Sequence, residues 1–132
     1  MRIEIEMILR LLLAATLGAI IGYQRERAAK PAGLRTHTLI CVGATLFTLA
    51  SLYGFGTTVD PARVAAGIVT GIGFLGAGAI VRREEGLVAG LTTASTIWIV
   101  AAIGLAAGAG LYLLSVVTTI IALIILLLPH FR

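Results

Sequence analysis

Charge is scarce in this chain. Ten lysines and arginines and six acids are spread over 132 residues, so 12% of the sequence is charged, where a soluble domain carries about a quarter. Histidine and cysteine are scarcer still: His37, His130 and Cys41, far apart. One cysteine excludes an intramolecular disulfide framework, and three scattered residues make no metal motif. The sequence contains no P-loop, no H-E-x-x-H pair and no G-x-S-x-G elbow, so the groups of nucleotide or hydrolytic chemistry are missing. Neither an enzyme nor a cofactor is expected. The net charge of +4 could point to nucleic acid in a soluble protein. Here the bases sit in short loops between apolar runs, which fits orientation in a bilayer and contact with anionic lipid headgroups.

Apolar residues fill the space that charge leaves. They make up 59% of the chain and raise its mean hydropathy to +1.08, and runs long enough to cross a bilayer recur. The expected fold is an all-α integral membrane protein, a single domain over 1–132. About five transmembrane helices are expected near 5–23, 36–53, 61–80, 87–105 and 111–128. The first run has Glu4 and Glu6 ahead of it and no A-x-A-like site behind it, so it reads as a retained helix and not a cleaved signal peptide. Arg25, Arg27, Lys30, Arg35, Arg82, Arg83 and Arg132 fall on one side, against Arg2, Arg63 and Arg10 on the other. The positive-inside rule then places the N-terminus outside and the C-terminus in the cytoplasm. Arg10 lies in the second turn of its helix and is expected to snorkel to the near interface.

The segment from Asp60 to Arg83 organises the rest. It opens on Asp60-Pro61 with Arg63 in its first turn and carries Gly67, Gly71, Gly73, Gly76 and Gly78. Glycines at membrane depth imply close backbone packing or irregular backbone lining a cavity; the run Gly71 to Gly78 leaves both open. Gly67, Gly71 and Gly78 make one smooth face, and Ala66, Thr70, Gly73 and Ala77 a second. Gly18-x-x-x-Gly22 and Gly86-x-x-x-Gly90 repeat the small-residue spacing. The fourth segment holds a hydroxyl cluster of Thr92, Thr93, Ser95 and Thr96, suited to helix-to-helix bonding or to lining a polar cavity. Trp98 falls mid-segment, where its indole N–H needs a partner. The Leu/Ile-rich fifth segment is expected to face lipid.

Few residues could carry chemistry. Asp60 suits an N-cap with Pro61 at the first helical position and Arg63 as a local ion-pair partner. Alternatively Asp60 is an outer-face cation ligand. Magnesium takes oxygen ligands and keeps several waters, so one carboxylate is a poor site unless oligomerisation brings two together. Arg35, beyond the Pro31/Gly33 turn, is either an interfacial anchor or turned inward toward freed carbonyls, Glu84 or Glu85. His37, at the mouth of the second segment, is the better placed histidine.

Three stretches are familiar together: K-P-A-G-L-R-T-H-T-L-I-C-V-G-A from Lys30, D-P-A-R-V-A-A-G-I-V-T-G-I-G-F-L-G-A-G-A-I from Asp60, and L-T-T-A-S-T-I-W-I-V-A-A-I-G-L-A-A-G-A-G from Leu91. Their order and spacing resemble the MgtC/SapB family of bacterial inner-membrane proteins over nearly the whole chain. The resemblance implies an inner-membrane protein associated with growth at low magnesium and, in some members, with virulence. It also implies a possible partner, since the best-known member is described as acting on the proton-translocating ATP synthase. That member has a soluble C-terminal domain; a chain ending at Arg132 resembles the short, membrane-only form. The resemblance places Arg35, Thr36, Asp60, Pro61 and Arg63 within family motifs. Two functions follow as expectations. One is a regulatory module acting through helix contacts with itself or another membrane protein, most simply as a homodimer. The other is a small channel or carrier for a cation such as magnesium, with a site at a broken third helix.

Overall fold

A buried stripe runs down the first helix at i, i+4, i+7 spacing: the small and apolar Ala14, Leu17, Gly18, Ile21 and Gly22, with Arg10 and Arg25 at its two ends, are all buried along α1 (Arg2–Arg27). The computed structural model describes residues 2–82, 86 and 88–129. The expectations for Arg83, Glu84, Glu85, His130 and Arg132 lie outside the described residues. After α1 come α2 (Leu34–Tyr53), α3 (Ala62–Ala79), strands β1 (Val81–Arg82) and β2 (Val88–Ala89), α4 (Leu91–Gly108) and α5 (Tyr112–Leu126). The fold is all-α, and α1, α2, α3 and α4 are long and apolar enough to span a membrane.

The helix ends have local causes. Helix α1 runs four residues beyond the expected end because Q-R-E-R continues good helix formers. It stops in a Schellman turn, with Ala29 at φ 57° and Lys30 N–H bonded to Arg25 O at 3.1 Å. Glu26 Oε1 then accepts the Leu34 N–H at 3.0 Å, so the end of α1 caps the start of α2. Asp60 caps α3 as expected: Oδ1 accepts the Ala62 N–H at 2.9 Å. Ser51 donates to the Pro61 carbonyl at 2.9 Å, tying the end of α2 to the same turn. Helix α4 ends on Gly110 at φ 85°, with Leu111 N–H reaching back to Ala106 O at 2.9 Å.

The start of α4 departs from expectation. The fourth helix begins at Leu91, not near 87, because Gly86 and Gly90 both take left-handed φ, 79° and 91°. Gly86 lies between the strands of the β1–β2 hairpin, paired Val81 to Ala89 and Arg82 to Val88, and Gly90 follows β2 as the N-cap of α4, so the two do not share a helix face. The fifth helix stands where expected, and its 15 residues make it about 22 Å long at 1.5 Å per residue, the shortest of the five. Trp98 lies on the outer surface of α4, 55% exposed. It stands beside Ile68 and Ile72 of α3, and its indole N–H has no partner among the described residues.

Helix α2 is clamped between glycine pairs from two neighbours. A Cβ on Gly18 would stand 2.7 Å from the Cys41 Cβ, and one on Gly22 would stand 2.8 Å from the Leu34 Cα. On the other side a Cβ on Gly104 would collide with the Cys41 carbonyl, and one on Gly108 would lie 2.8 Å from the Thr45 carbonyl. Such contacts supply dispersion energy where lipid removes the hydrophobic drive between helices. Ala14, Leu17, Ile21, Cys41, Val100, Ile103, Ala107 and Ala122 fill the centre of the α1–α2–α4–α5 bundle. Helix α3 joins it through a small cluster of Ala44, Ile68 and Ala101 and through the approach of Gly76 to Ala94 on α4. The outward face of α5 carries Leu113, Leu114, Ile121, Ile124 and Ile125, as its composition suggests.

Candidate functional site

Two buried arginines sit at opposite ends of the α1 stripe. Snorkelling is not what Arg10 does: it is 7% exposed and turned into the bundle. Its Nε donates to the Tyr112 hydroxyl at 2.8 Å and its Nη1 to the Gly108 carbonyl at 2.8 Å and the Tyr53 hydroxyl at 3.3 Å. Its Nη2 meets Glu6 Oε2 at 2.7 Å, the one ion pair among the described residues. Glu6 and both phenols give the guanidinium enough acceptors inside to replace water. Arg10 therefore fastens α1, the end of α2, the end of α4 and the start of α5 together.

The opposite end is built differently. Arg25 is 3% exposed, and its Nη2 donates to Thr93 Oγ1 at 3.2 Å. Its Nε has no partner among the described residues, nor has the buried Gln24 Oε1. One helical turn along α4, Thr96 Oγ1 lies 2.9 Å from His37 Nε2, and His37 Nδ1 lies 2.8 Å from the Gly33 carbonyl. A carbonyl only accepts, so Nδ1 carries the proton and Nε2 of the neutral ring is an acceptor; the single Thr96 hydroxyl hydrogen is shared between Nε2 and the Thr93 carbonyl, 2.8 Å away. His37 is fully buried. Thr93 and Thr96 thus turn inward from α4 toward α1 and α2, while Thr92 and Ser95 face outward.

The other sequence candidates stay apart from this cluster. Arg35 and Thr36 are exposed, so the inward-turned arginine near the α4 N-terminus is Arg25, not Arg35. Asp60 and Arg63 are exposed and make no ion pair with each other; only the backbone bond from Arg63 N–H to Asp60 O, 3.2 Å, joins them. Among the described residues no three His, Cys, Asp or Glu side chains gather where a metal ion could be held, and Asp60 stands alone as a carboxylate. The signal for Arg25 and Arg10 was available: both fall on the Gly18/Gly22 face, at +7 from Gly18 and at −8 from it. The Gly104/Gly108 pair was legible in the same way.

Helix α3 is unbroken from Ala62 to Ala79, so Gly71 to Gly78 do not unwind. Of its five glycines, Gly76 alone is buried. A Cβ added at Gly67, Gly71, Gly73 or Gly78 would meet nothing within 4 Å, and one at Gly76 only Ala94 at 3.6 Å. A groove of about 600 Å³ lies between α2 and α3, walled by Leu39, Gly43, Phe47, Gly67, Gly71 and Leu75 among others. It is apolar, so it offers a surface for other apolar chains and no ligand for an ion.

An all-helical bundle with four spanning-length helices, clamped by glycines and pinned at each end by a buried arginine, defines a multi-pass membrane protein. The chain belongs to the MgtC family, whose pattern it matches over residues 11–131. It is 46% identical over 132 residues to the putative magnesium transporter YhiD of Escherichia coli K12, covering 95% of this chain and 61% of that protein. It is 42% identical over 129 residues to Protein SrpB of Synechococcus elongatus, covering 89% of this chain and 71% of that one. With Protein MgtC of Salmonella typhimurium LT2 the identity is 49% over 118 residues, 88% of this chain and 49% of that protein. The chain thus spans about half to two thirds of the length of several curated relatives. No solved structure matches it.

Proposed function

We propose that this chain is a regulatory module of the bacterial inner membrane, N-terminus outside, that serves adaptation to low magnesium by offering α3 to another transmembrane helix. The observation that carries the reading is the open glycine face of α3. Each glycine in a helix interior costs about 1 kcal/mol relative to alanine, and four on α3 have no neighbour that needs the room. The same residue type at Gly18, Gly22, Gly104 and Gly108 is spent on close helix contact. The α3 glycines fit the same use with a helix from outside the chain: a second copy, or another membrane protein such as an ATP synthase. The family membership and the name of the Escherichia coli relative support the link to magnesium.

The test is growth at low magnesium of cells lacking the native gene and carrying variants of this chain. Gly71→Leu is expected to abolish the benefit while the purified protein melts like wild type; Thr92→Val is expected to retain it. Growth of Gly71→Leu cells equal to wild type would overturn the reading. The alternative, a magnesium channel or carrier, is supported by the buried polar groups Arg25, His37, Thr93 and Thr96. Its test is divalent-cation flux into liposomes holding the purified protein.

A further inference from the structure

We propose that the N-terminus of α4, together with Arg25, is a binding site for an oxyanion, a phosphate group carried by a lipid headgroup or free in solution. Helix α4 is 18 residues long and begins with no side-chain cap at Gly90. Its first intrahelical acceptor bond runs from Ala94 N–H to Gly90 O at 2.8 Å, which leaves the Leu91, Thr92 and Thr93 amides without intrahelical partners. Those amides and the helix dipole favour an anion there.

The independent observation is Arg25. A guanidinium has five N–H donors and stays charged. Here it is 3% exposed, yet the described residues supply one bond, to Thr93 Oγ1 in the first turn of α4, and leave Nε without a partner. The adjacent acid, Glu26, is engaged elsewhere, capping Leu34. The contrast with Arg10 is direct: in the same bundle and equally buried, it has a carboxylate, two phenols and a carbonyl. A buried cation with one neutral acceptor among the described residues is costly in a membrane. Two oxygens of one phosphate would satisfy the Arg25 fork bidentately while a third accepts from the α4 amides. The Thr93 hydroxyl, which accepts from Arg25, keeps its own hydrogen to donate.

The probes are inorganic phosphate and phosphatidylglycerol. Protein purified in neutral detergent would be melted in sodium phosphate and in sodium chloride at matched ionic strength. The same protein in nanodiscs of phosphatidylcholine with phosphatidylglycerol would be examined by native mass spectrometry. A saturable rise of the melting point with phosphate supports the site and assigns it a free anion. One retained phosphatidylglycerol per chain, with at least a tenfold preference over phosphatidylcholine, supports it and assigns a headgroup. Arg25→Gln is expected to lose either signal by at least tenfold. If Arg25→Gln does not fold, Thr93→Val, which keeps the shape, is read instead, with a several-fold loss expected. No saturable binding of either probe, or binding unchanged in the folded variant, overturns the proposal.

Discussion

Arg10 and Gly108 meet at 2.8 Å, guanidinium Nη1 to backbone carbonyl, although 98 residues separate them. That bond joins the N-terminal part of α1 to the last turn of α4, where the carbonyls have run out of intrahelical donors. Arg10→Met removes the donor and leaves a buried carbonyl and two phenols short of partners. An unsatisfied buried acceptor costs about 1–3 kcal/mol, so a clear drop in the melting point of the purified protein is expected. Glu6→Gln should cost less than about 1 kcal/mol, because the Glu6 side chain is 51% exposed and such pairs are worth little. Equal losses for the two variants would contradict the arrangement.

Glycines of the same spacing should divide into two classes. Gly104→Ala and Gly108→Ala push a methyl into the backbone carbonyls of Cys41 and Thr45, an overpacking expected to cost about 1–3 kcal/mol or more. Gly67→Ala and Gly73→Ala meet open space and gain helix propensity, so the isolated chain should be unchanged or slightly more stable. Thermal unfolding in detergent separates the two groups.

Asp60 should behave as a cap. Asp60→Ala removes the acceptor for the Ala62 N–H and is expected to cost about 1 kcal/mol, and Asp60→Asn much less, since asparagine caps nearly as well. The measurement is again the melting point, taken with and without magnesium. A magnesium-dependent stabilisation that Asp60→Asn abolishes would make Asp60 a cation ligand as well.

Cys41 is fully buried between the Gly18 and Gly104 contacts. In membranes it should resist a maleimide until the protein is denatured. A cysteine placed at Gly73 in a Cys41→Ala background, on an exposed helix face, should label readily wherever water or a permeant reagent reaches α3. Rapid labelling of Cys41 in the native protein would contradict the packing.

Much of this was legible before any coordinates. Apolar run length gave the helices α1 to α4, and Asp60-Pro61 gave the start of α3 through capping chemistry. The misses share a cause. Gly86 and Gly90 have helical spacing, but their left-handed φ is a backbone property that spacing does not reveal. Arg10 reads as an interfacial residue until Tyr53, Tyr112 and Gly108 are brought to it from three other helices, and those partners lie too far along the chain for local pattern. Arg35 and Arg25 look alike as loop bases; the choice between them turns on α1 continuing to Arg27, which keeps Arg25 on the buried face. The α3 glycines were legible as small-residue faces, though not as faces that, at Gly67, Gly71, Gly73 and Gly78, have no neighbour within 4 Å of an added Cβ.

The most direct measurement of the central claim is photocrosslinking in native membranes under magnesium limitation. A photoreactive residue at Gly71 would be compared with one at Ile124, on the outward face of α5. The account expects a discrete protein adduct from position 71 and only lipid adducts from position 124, with the first adduct lost when Gly67→Leu is added. Lipid adducts alone at position 71, from a folded and expressed protein, would contradict it.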